Sequence, residues 1–260
     1  MTPGLRQALR RIGEHCDRVT YVSGYTRDKI APALTEAAAS RMRRLSPGVD
    51  TAYFTPGRAA AGAALRREFG LQGPVIVCVS RLMKRKGQDA LIDAMAVVRE
   101  AVPGAVLVIV GKGAYGPALE KRVRDRGLGD CVMFAGEVPY ATLPDWYAVG
   151  DVFAMPCRTR NLGWDVEGLG IVFLEASATG LPVLAGDSGG APDAVRDGVT
   201  GFVVDGRDLH AIQERLVALL LDKRMRDRLG DAGREWVQDQ WTWDVSSRRL
   251  QEMLSGWDVD

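Results

Sequence analysis

Two glutamates and one basic loop are the residues of this chain best suited to chemistry. Glu167 and Glu175 stand eight positions apart in DVEGLGIVFLEASATG, with Gly168 and Gly170 directly after the first. A carboxylate offers two acceptor oxygens and can grip a vicinal diol, so one glutamate can hold a sugar and the other a ribose. If a helix starts near Gly170, the amides of Gly168, Leu169, Gly170 and Ile171 can form an anion-binding turn at its N-terminus. Glu167 then precedes the helix and Glu175 lies about one turn inside it. The basic loop, SRLMKRKGQD at 80–89, carries Arg81, Lys84, Arg85 and Lys86. Arg forks two oxygens of a phosphate and Lys adds a compact charge, a combination suited to a diphosphate. Taken singly, a solvated basic loop or a charged helix face gives the same patterns. Their occurrence together in one chain, with the glycines between the glutamates, points to a phosphorylated ligand.

A third pattern competes. Gly111-x-Gly113-x-x-Gly116 follows the run VLVIV and matches the dinucleotide-binding fingerprint. It sits after the second strand-like run of the series rather than the first, and Pro117 follows at once. A glycine turn that lets a flat ring approach the backbone is the more modest reading, with an NAD-dependent oxidoreductase as the competing class.

These residues must be positioned by a sheet. From Pro74 onward short β-branched runs alternate with amphipathic stretches, the pattern of strands and crossover helices in a parallel sheet covered on both faces. Strands are predicted at 74–80, 105–111, 131–136, 151–157, 181–186 and 200–204. Helices are predicted near 88–100, 117–126, 143–149 and 170–179, with two more filling 207–240. That series describes a six-stranded doubly wound α/β domain, whose ligands bind beyond the carboxyl ends of the strands. The tail from Trp241 holds one more amphipathic segment. The first 60 residues differ, with 10 Lys/Arg against 5 Asp/Glu, one strand-like run (RVTYVS, 18–23) and a Pro/Gly-rich exit, SPGVDTAYFTPG. A lone strand cannot close a core, so this stretch reads as the end of another domain plus a linker, or as an extension packed on the α/β domain.

Composition narrows the function classes. The chain has 260 residues, 47% hydrophobic and 26% charged, and is globular in type. With 34 Lys/Arg against 33 Asp/Glu, no whole-chain field attracts nucleic acid. Cys16, Cys78, Cys131 and Cys157 are scattered without a Cys-x-x-Cys pair, and His15 and His210 are the only histidines, so no metal site is predicted and the cysteines read as reduced thiols. The apolar runs fall far short of the roughly 18 residues of a spanning helix, and a cytoplasmic location is the default. Asp258-x-Asp260 reads as a chain end rather than a metal-binding pair.

The sequence resembles the retaining GT-B glycosyltransferases of family 4. The resemblance rests on EGLGIVFLE from Glu167 to Glu175, SRLMKRKG with Arg81 and Lys86, VSGYTRDKI, SPGVDTAYF, the GKG turn, GEVPYATLPDWYAVGDVFAMPC and SGGAPDAVRDGVTGFVV, and covers essentially the whole chain. Within the family it is especially similar to actinobacterial members that mannosylate phosphatidylinositol mannosides from GDP-mannose. The resemblance implies that Arg81 and Lys86 bind the donor diphosphate, assisted by amides near Gly170 and Ile171. Glu167 would hydrogen-bond the mannose and Glu175 the ribose diol, while Lys112, Gly113 and the backbone of Glu137 and Val138 would surround the nucleobase. It implies retention by front-face attack, GDP-mannose as donor substrate, no cofactor or metal, and a lipid-linked acceptor. It also implies a division into 1–56, the remnant of an N-terminal acceptor domain and linker; 57–240, the Rossmann-like donor domain; and 241–260, a C-terminal crossover helix and tail. In the family the N-terminal domain carries the acceptor site and docks peripherally on the cytoplasmic face of the membrane. With that domain nearly absent, activity of this chain alone is in question; the alternatives are a nucleotide-sugar-binding module without independent catalysis and a family 4 glycosyltransferase with another donor or acceptor, and the crossover around Trp241, Trp243 and Val245 is predicted to expose apolar surface.

Overall fold

A computed structural model describes residues 2–255, so Asp258 and Asp260 lie outside the described residues. In chain order the elements are α1 (Pro3–His15), β1 (Val19–Tyr21), α2 (Gly24–Ile30), α3 (Glu36–Ser40), β2 (Met42–Arg44), α4 (Ala59–Glu68), β3 (Val75–Val79), α5 (Gln88–Ala101), β4 (Val106–Val110) and α6 (Gly116–Asp125). They continue with β5 (Val132–Gly136), α7 (Leu143–Tyr147), β6 (Val152–Met155), α8 (Ile171–Ala178), β7 (Val183–Gly186), β8 (Gly201–Val204), α9 (Leu209–Leu221), α10 (Lys223–Gln240) and α11 (Trp243–Leu254).

Six strands form one parallel sheet in the order β5-β4-β3-β6-β7-β8. β3, β6 and β7 are buried at every position, because helices cover both faces and an apolar side chain is needed on each. Chain order reverses between β3 and β6, which pair from Ile76 with Val152 and Val77 with Phe153. In such sheets the ligand crevice lies outside the carboxyl ends of the strands at that switch point. One loop, 80–87, leaves β3, and the other, 156–170, leaves β6. Gly87 lets them meet: it has φ of 79° at the start of α5, and a Cβ on it would stand 2.2 Å from the Pro156 carbonyl oxygen.

The N-terminal segment holds two strands where one was predicted. β2 pairs in parallel with β1, from Val19 with Met42 to Tyr21 with Arg44. Its sequence, MRR, has no apolar alternation to betray it. This segment is fastened to the large sheet through Asp193, whose Oδ2 accepts from the Gly24 amide at 2.7 Å and pairs with Arg44 at 3.2 Å.

The segment around α11 differs from the prediction of exposed apolar surface. Trp241 is 5% exposed, packed edge-on against Trp236 and beneath the Arg44 guanidinium. Ser46 and Val49 fasten it: the Val49 amide donates to the Trp241 carbonyl at 2.7 Å and Ser246 Oγ donates to the Ser46 carbonyl at 2.8 Å. Val245 is half-buried, and of the three residues only Trp243 is exposed.

Candidate functional site

The loop after β3 is rigid at its root. Gln88, fully buried at the start of α5, donates to Ser80 Oγ at 2.8 Å and to the Arg81 carbonyl at 3.0 Å. From there the two predicted phosphate-binding cations part company. Arg81 is exposed and makes no ion pair among the described residues. Lys86 turns inward from a short 3-10 turn, is 7% exposed, and places Nζ 2.5 Å from Glu167 Oε2. Neighbouring links hold the loops after β3 and β6 together. The Arg158 amide donates to the Arg85 carbonyl at 2.8 Å, Arg85 pairs with Asp165 at 3.3 Å, and Arg158 pairs with Asp89 at 2.5 Å.

Glu167 is 8% exposed, and its backbone is clamped by the loop after β7. Its amide donates to Ser188 Oγ at 3.2 Å, and its carbonyl accepts from the Gly190 amide at 2.8 Å. Gly168 is exposed, whereas the Leu169 side chain is buried in the core and leaves only backbone for a ligand. Gly170, with φ of 82°, caps α8, and no side chain satisfies the amides of its first turn, which include that of Ile171. A bare helix N-terminus next to Lys86 favours an anion there.

Glu175 sits in the second turn of α8. Tyr147 Oη donates to its Oε2 at 2.6 Å. Tyr147 is fully buried, in edge contact with Phe54 and stacked on Phe153. Burial raises the Glu175 carboxyl above its ordinary range, and the tyrosine hydrogen bond draws it partly back.

Five predicted residues converge on one cavity of about 450 Å³ beyond the ends of β3 and β4: Arg81, Lys112, Gly113, Glu137 and Val138. Val79, Val110 and Leu143 give it apolar walls. Lys112 and Glu137 form an ion pair at this cavity. Gly113 is required by close approach, since a Cβ would stand 2.3 Å from the Leu82 carbonyl oxygen. The glycine turn of the second loop is thus laid against the first. A second cavity of about 450 Å³ shares Arg81, Lys112 and Gly113 and adds Lys84, Tyr115, Arg160 and Asp165. Among the described residues no group of three or more His, Cys, Asp or Glu side chains is arranged to hold a metal ion.

Sequence reasoning missed Tyr147, Gln88 and Ser188, which hold the predicted residues rather than face a ligand. Tyr147 lies inside the stretch GEVPYATLPDWYAVGDVFAMPC. A tyrosine at a fully buried position needs a partner for its hydroxyl, but its burial is not readable from the sequence.

A doubly wound α/β sheet that gathers Arg81, Lys86, Glu167 and Glu175 beyond its switch point belongs to the class that places a ligand outside the carboxyl ends of its strands. Residues 65–236 match the family model Glycosyl transferases group 1, and the chain belongs to that family. It is 51% identical over all 260 residues to the GDP-mannose-dependent alpha-(1-6)-phosphatidylinositol monomannoside mannosyltransferase of Mycobacterium tuberculosis, covering 67% of that protein. It is 44% identical over 256 residues, 98% of the chain and 66% of the relative, to the GDP-mannose-dependent monoacylated alpha-(1-6)-phosphatidylinositol monomannoside mannosyltransferase of Corynebacterium glutamicum. The fold matches the crystal structure of Anabaena HepE in complex with UDP and glucose, with a TM-score of 0.83 at 23% identity over 97% of this chain and 67% of that one. The chain therefore spans about two thirds of the length of these proteins. The parallel six-stranded sheet is that of the GT-B glycosyltransferases. No helix among the described residues is long and apolar enough to cross a membrane.

Proposed function

We propose that this chain is the donor-binding part of a retaining glycosyltransferase that moves mannose from GDP-mannose to a phosphatidylinositol mannoside. The observation that carries this reading is the junction at the sheet's switch point, where Lys86, paired with Glu167, adjoins the uncapped start of α8 in a chain half identical to a mannosyltransferase of that specificity. Arg81 and Lys86, with the amides near Gly168, Gly170 and Ile171, stabilise the charge that develops on the leaving GDP. Glu167 orients the mannose. Glu175, steadied by Tyr147, takes the ribose diol, and the cavity between Gly113 and Val138 takes the base. The carboxylate nearest the sugar is already engaged by Lys86, which suits a reaction in which the donor phosphate, not a protein nucleophile, receives the acceptor proton. Residues 1–56 supply the end of an acceptor domain and linker, 57–240 the donor domain and 241–260 the return, and peripheral contact with the cytoplasmic face of the membrane belongs to the acceptor domain.

The test is incubation of the chain with GDP-mannose labelled in the sugar and phosphatidylinositol monomannoside in detergent. Saturable binding of the labelled donor is the expected result, with labelled lipid carrying an α-linked mannose and stoichiometric GDP marking a chain that also transfers. Binding of GDP-mannose without labelled lipid would favour a nucleotide-sugar-binding module, and neither binding nor transfer would refute both readings.

A further inference from the structure

Four guanidiniums gather where the N-terminal segment meets α11, outside the crevice. Arg18 before β1, Arg43 and Arg44 of β2, and Arg249 of α11 line one cavity of about 410 Å³, whose wall Glu252 and Met253 complete. A smaller cavity of about 210 Å³ shares Arg44 and Arg249 and reaches Asp193, Trp236, Gln240 and Trp241. Neither shares a residue with the two cavities of the crevice. A guanidinium does not deprotonate in a protein, so like charges brought together here cannot shed their repulsion by losing a proton. Of the four, only Arg44 meets a carboxylate among the described residues, Asp193 at 3.2 Å, and that carboxylate already accepts from the Gly24 amide. The others donate to neutral oxygens: Arg18 to the Asp17 carbonyl at 3.1 Å, Arg43 to the carbonyls of Ser40 at 2.8 Å and Met42 at 2.9 Å, and Arg249 to Gln240 Oε1 at 3.5 Å. Their charge is left uncompensated. Two donors of this wall are orphaned as well, because Arg44 Nη2 and Trp241 Nε1 are buried and form no hydrogen bond among the described residues. Buried donors so left call for an acceptor that the chain does not supply.

We propose that this groove binds a phosphate-bearing anion, held by Arg18, Arg43, Arg44 and Arg249. The planar fork of a guanidinium matches two phosphate oxygens. A phosphate monoester offers three acceptor oxygens and nearly two charges, enough to engage several forks at once. A carboxylate has two oxygens and one charge and satisfies fewer of them. Glu252 is the single carboxylate of the larger cavity, and one negative charge against four positive ones leaves that space strongly attractive to an anion. A free phosphate and the phosphorylated headgroup of a lipid present the same group to these arginines. The proposal stands apart from the donor reading of the crevice, with which the groove has no residue in common.

The experiment is calorimetric titration of the whole chain with inorganic pyrophosphate, together with sedimentation on phosphatidylcholine vesicles made with or without phosphatidic acid, whose headgroup is a bare phosphate monoester. Both are run on the wild type, on Arg81→Ala, and on Arg81→Ala carrying Arg43→Gln and Arg249→Gln as well, so that phosphate bound in the crevice is set aside. Arg44 is kept, because it lies over the Trp241 ring and holds Asp193. Arg81→Ala should still bind, and adding the arginine pair should weaken binding at least about tenfold, as expected for loss of charge-assisted hydrogen bonds. The pair should melt no lower than its parent in phosphate-free buffer, since it relieves repulsion. If it melts lower, Arg18→Gln, at an exposed position, carries the test and should weaken whichever probe binds. Pyrophosphate binding that falls with the pair, without capture by vesicles, assigns the groove to free phosphate. Capture by phosphatidic acid vesicles that falls with the pair assigns it to a lipid headgroup, and either result supports the proposal. Affinity unchanged by these substitutions, binding abolished by Arg81→Ala alone, or no binding of either probe overturns it.

Discussion

Lys86 and Arg81 are given the same task by residue type, yet the fold treats them oppositely, and replacing each should separate stability from chemistry. Lys86 and Glu167 meet at 2.5 Å with side chains only 9% and 10% exposed. Lys86→Met leaves the Glu167 carboxylate buried without its counter-charge, and breaking such a pair costs about 3–5 kcal/mol. For a chain of this size each kcal/mol moves Tm by roughly 2–4 °C, so a fall of roughly 6–20 °C is expected. Adding Glu167→Gln removes the stranded charge and should return most of the loss, a non-additive result that marks direct coupling. Arg81 is exposed and unpaired among the described residues, so Arg81→Ala should stay within about 0.5 kcal/mol of wild type. Both single variants should still lower turnover at least about 100-fold, the loss typical of removing a donor to transition-state charge. Thermal and urea unfolding followed by circular dichroism, alongside initial transfer rates, reads all five quantities. Lys86→Met melting with the wild type would refute the buried pair, and near-normal turnover by folded Arg81→Ala would refute its role on the diphosphate.

Glu175 predicts a pH signature. Its carboxyl is raised by burial, so the stability it contributes is complete below the ordinary carboxyl range and is lost as pH rises through the raised value. Glu175→Gln should therefore match wild type near pH 4 and exceed it in urea unfolding at about pH 7, while losing nucleotide affinity; equal stability at both pH values would contradict the burial. Tyr147→Phe removes the hydrogen bond that lowers this carboxyl, so the pH below which nucleotide affinity weakens should move upward, and an unchanged profile would deny Tyr147 a positioning role. Cys78 and Cys157 are buried thiols pushed up to about 12, so a thiol reagent near pH 8 should label half-buried Cys16 well before either, as read by peptide mass spectrometry. Labelling of Cys157 as fast as Cys16 would mean that the loop after β6 opens readily.

Much of the scaffold was legible because its signals are local. The six strands of the main sheet announce themselves as β-branched runs such as VIVCV, and α5, α6 and α8 begin and end within a residue or two of their predicted bounds. The site was legible as a set of residues but not as a geometry. Nothing in SRLMKRKG says that Arg81 faces solvent while Lys86 is buried, because the partner that draws Lys86 inward is 81 positions away. Tyr147 and Glu175 are 28 positions apart and meet only through the packing of α7 and α8 around Phe153. β2 was hidden because MRR takes its strand state from pairing with β1 rather than from its own pattern. Trp241 was misplaced because Arg44, whose guanidinium lies over its ring, comes from the far end of the chain.

The central claim is that the crevice at the β3–β6 switch point binds a nucleotide-sugar donor through Arg81 and Glu175. Calorimetric titration of GDP-mannose into the wild type, Arg81→Ala and Glu175→Ala tests it most directly. The account predicts saturable one-to-one binding by the wild type and affinity reduced at least about tenfold in each variant, as expected for loss of a charge-assisted hydrogen bond. Wild-type affinity in both folded variants would contradict it.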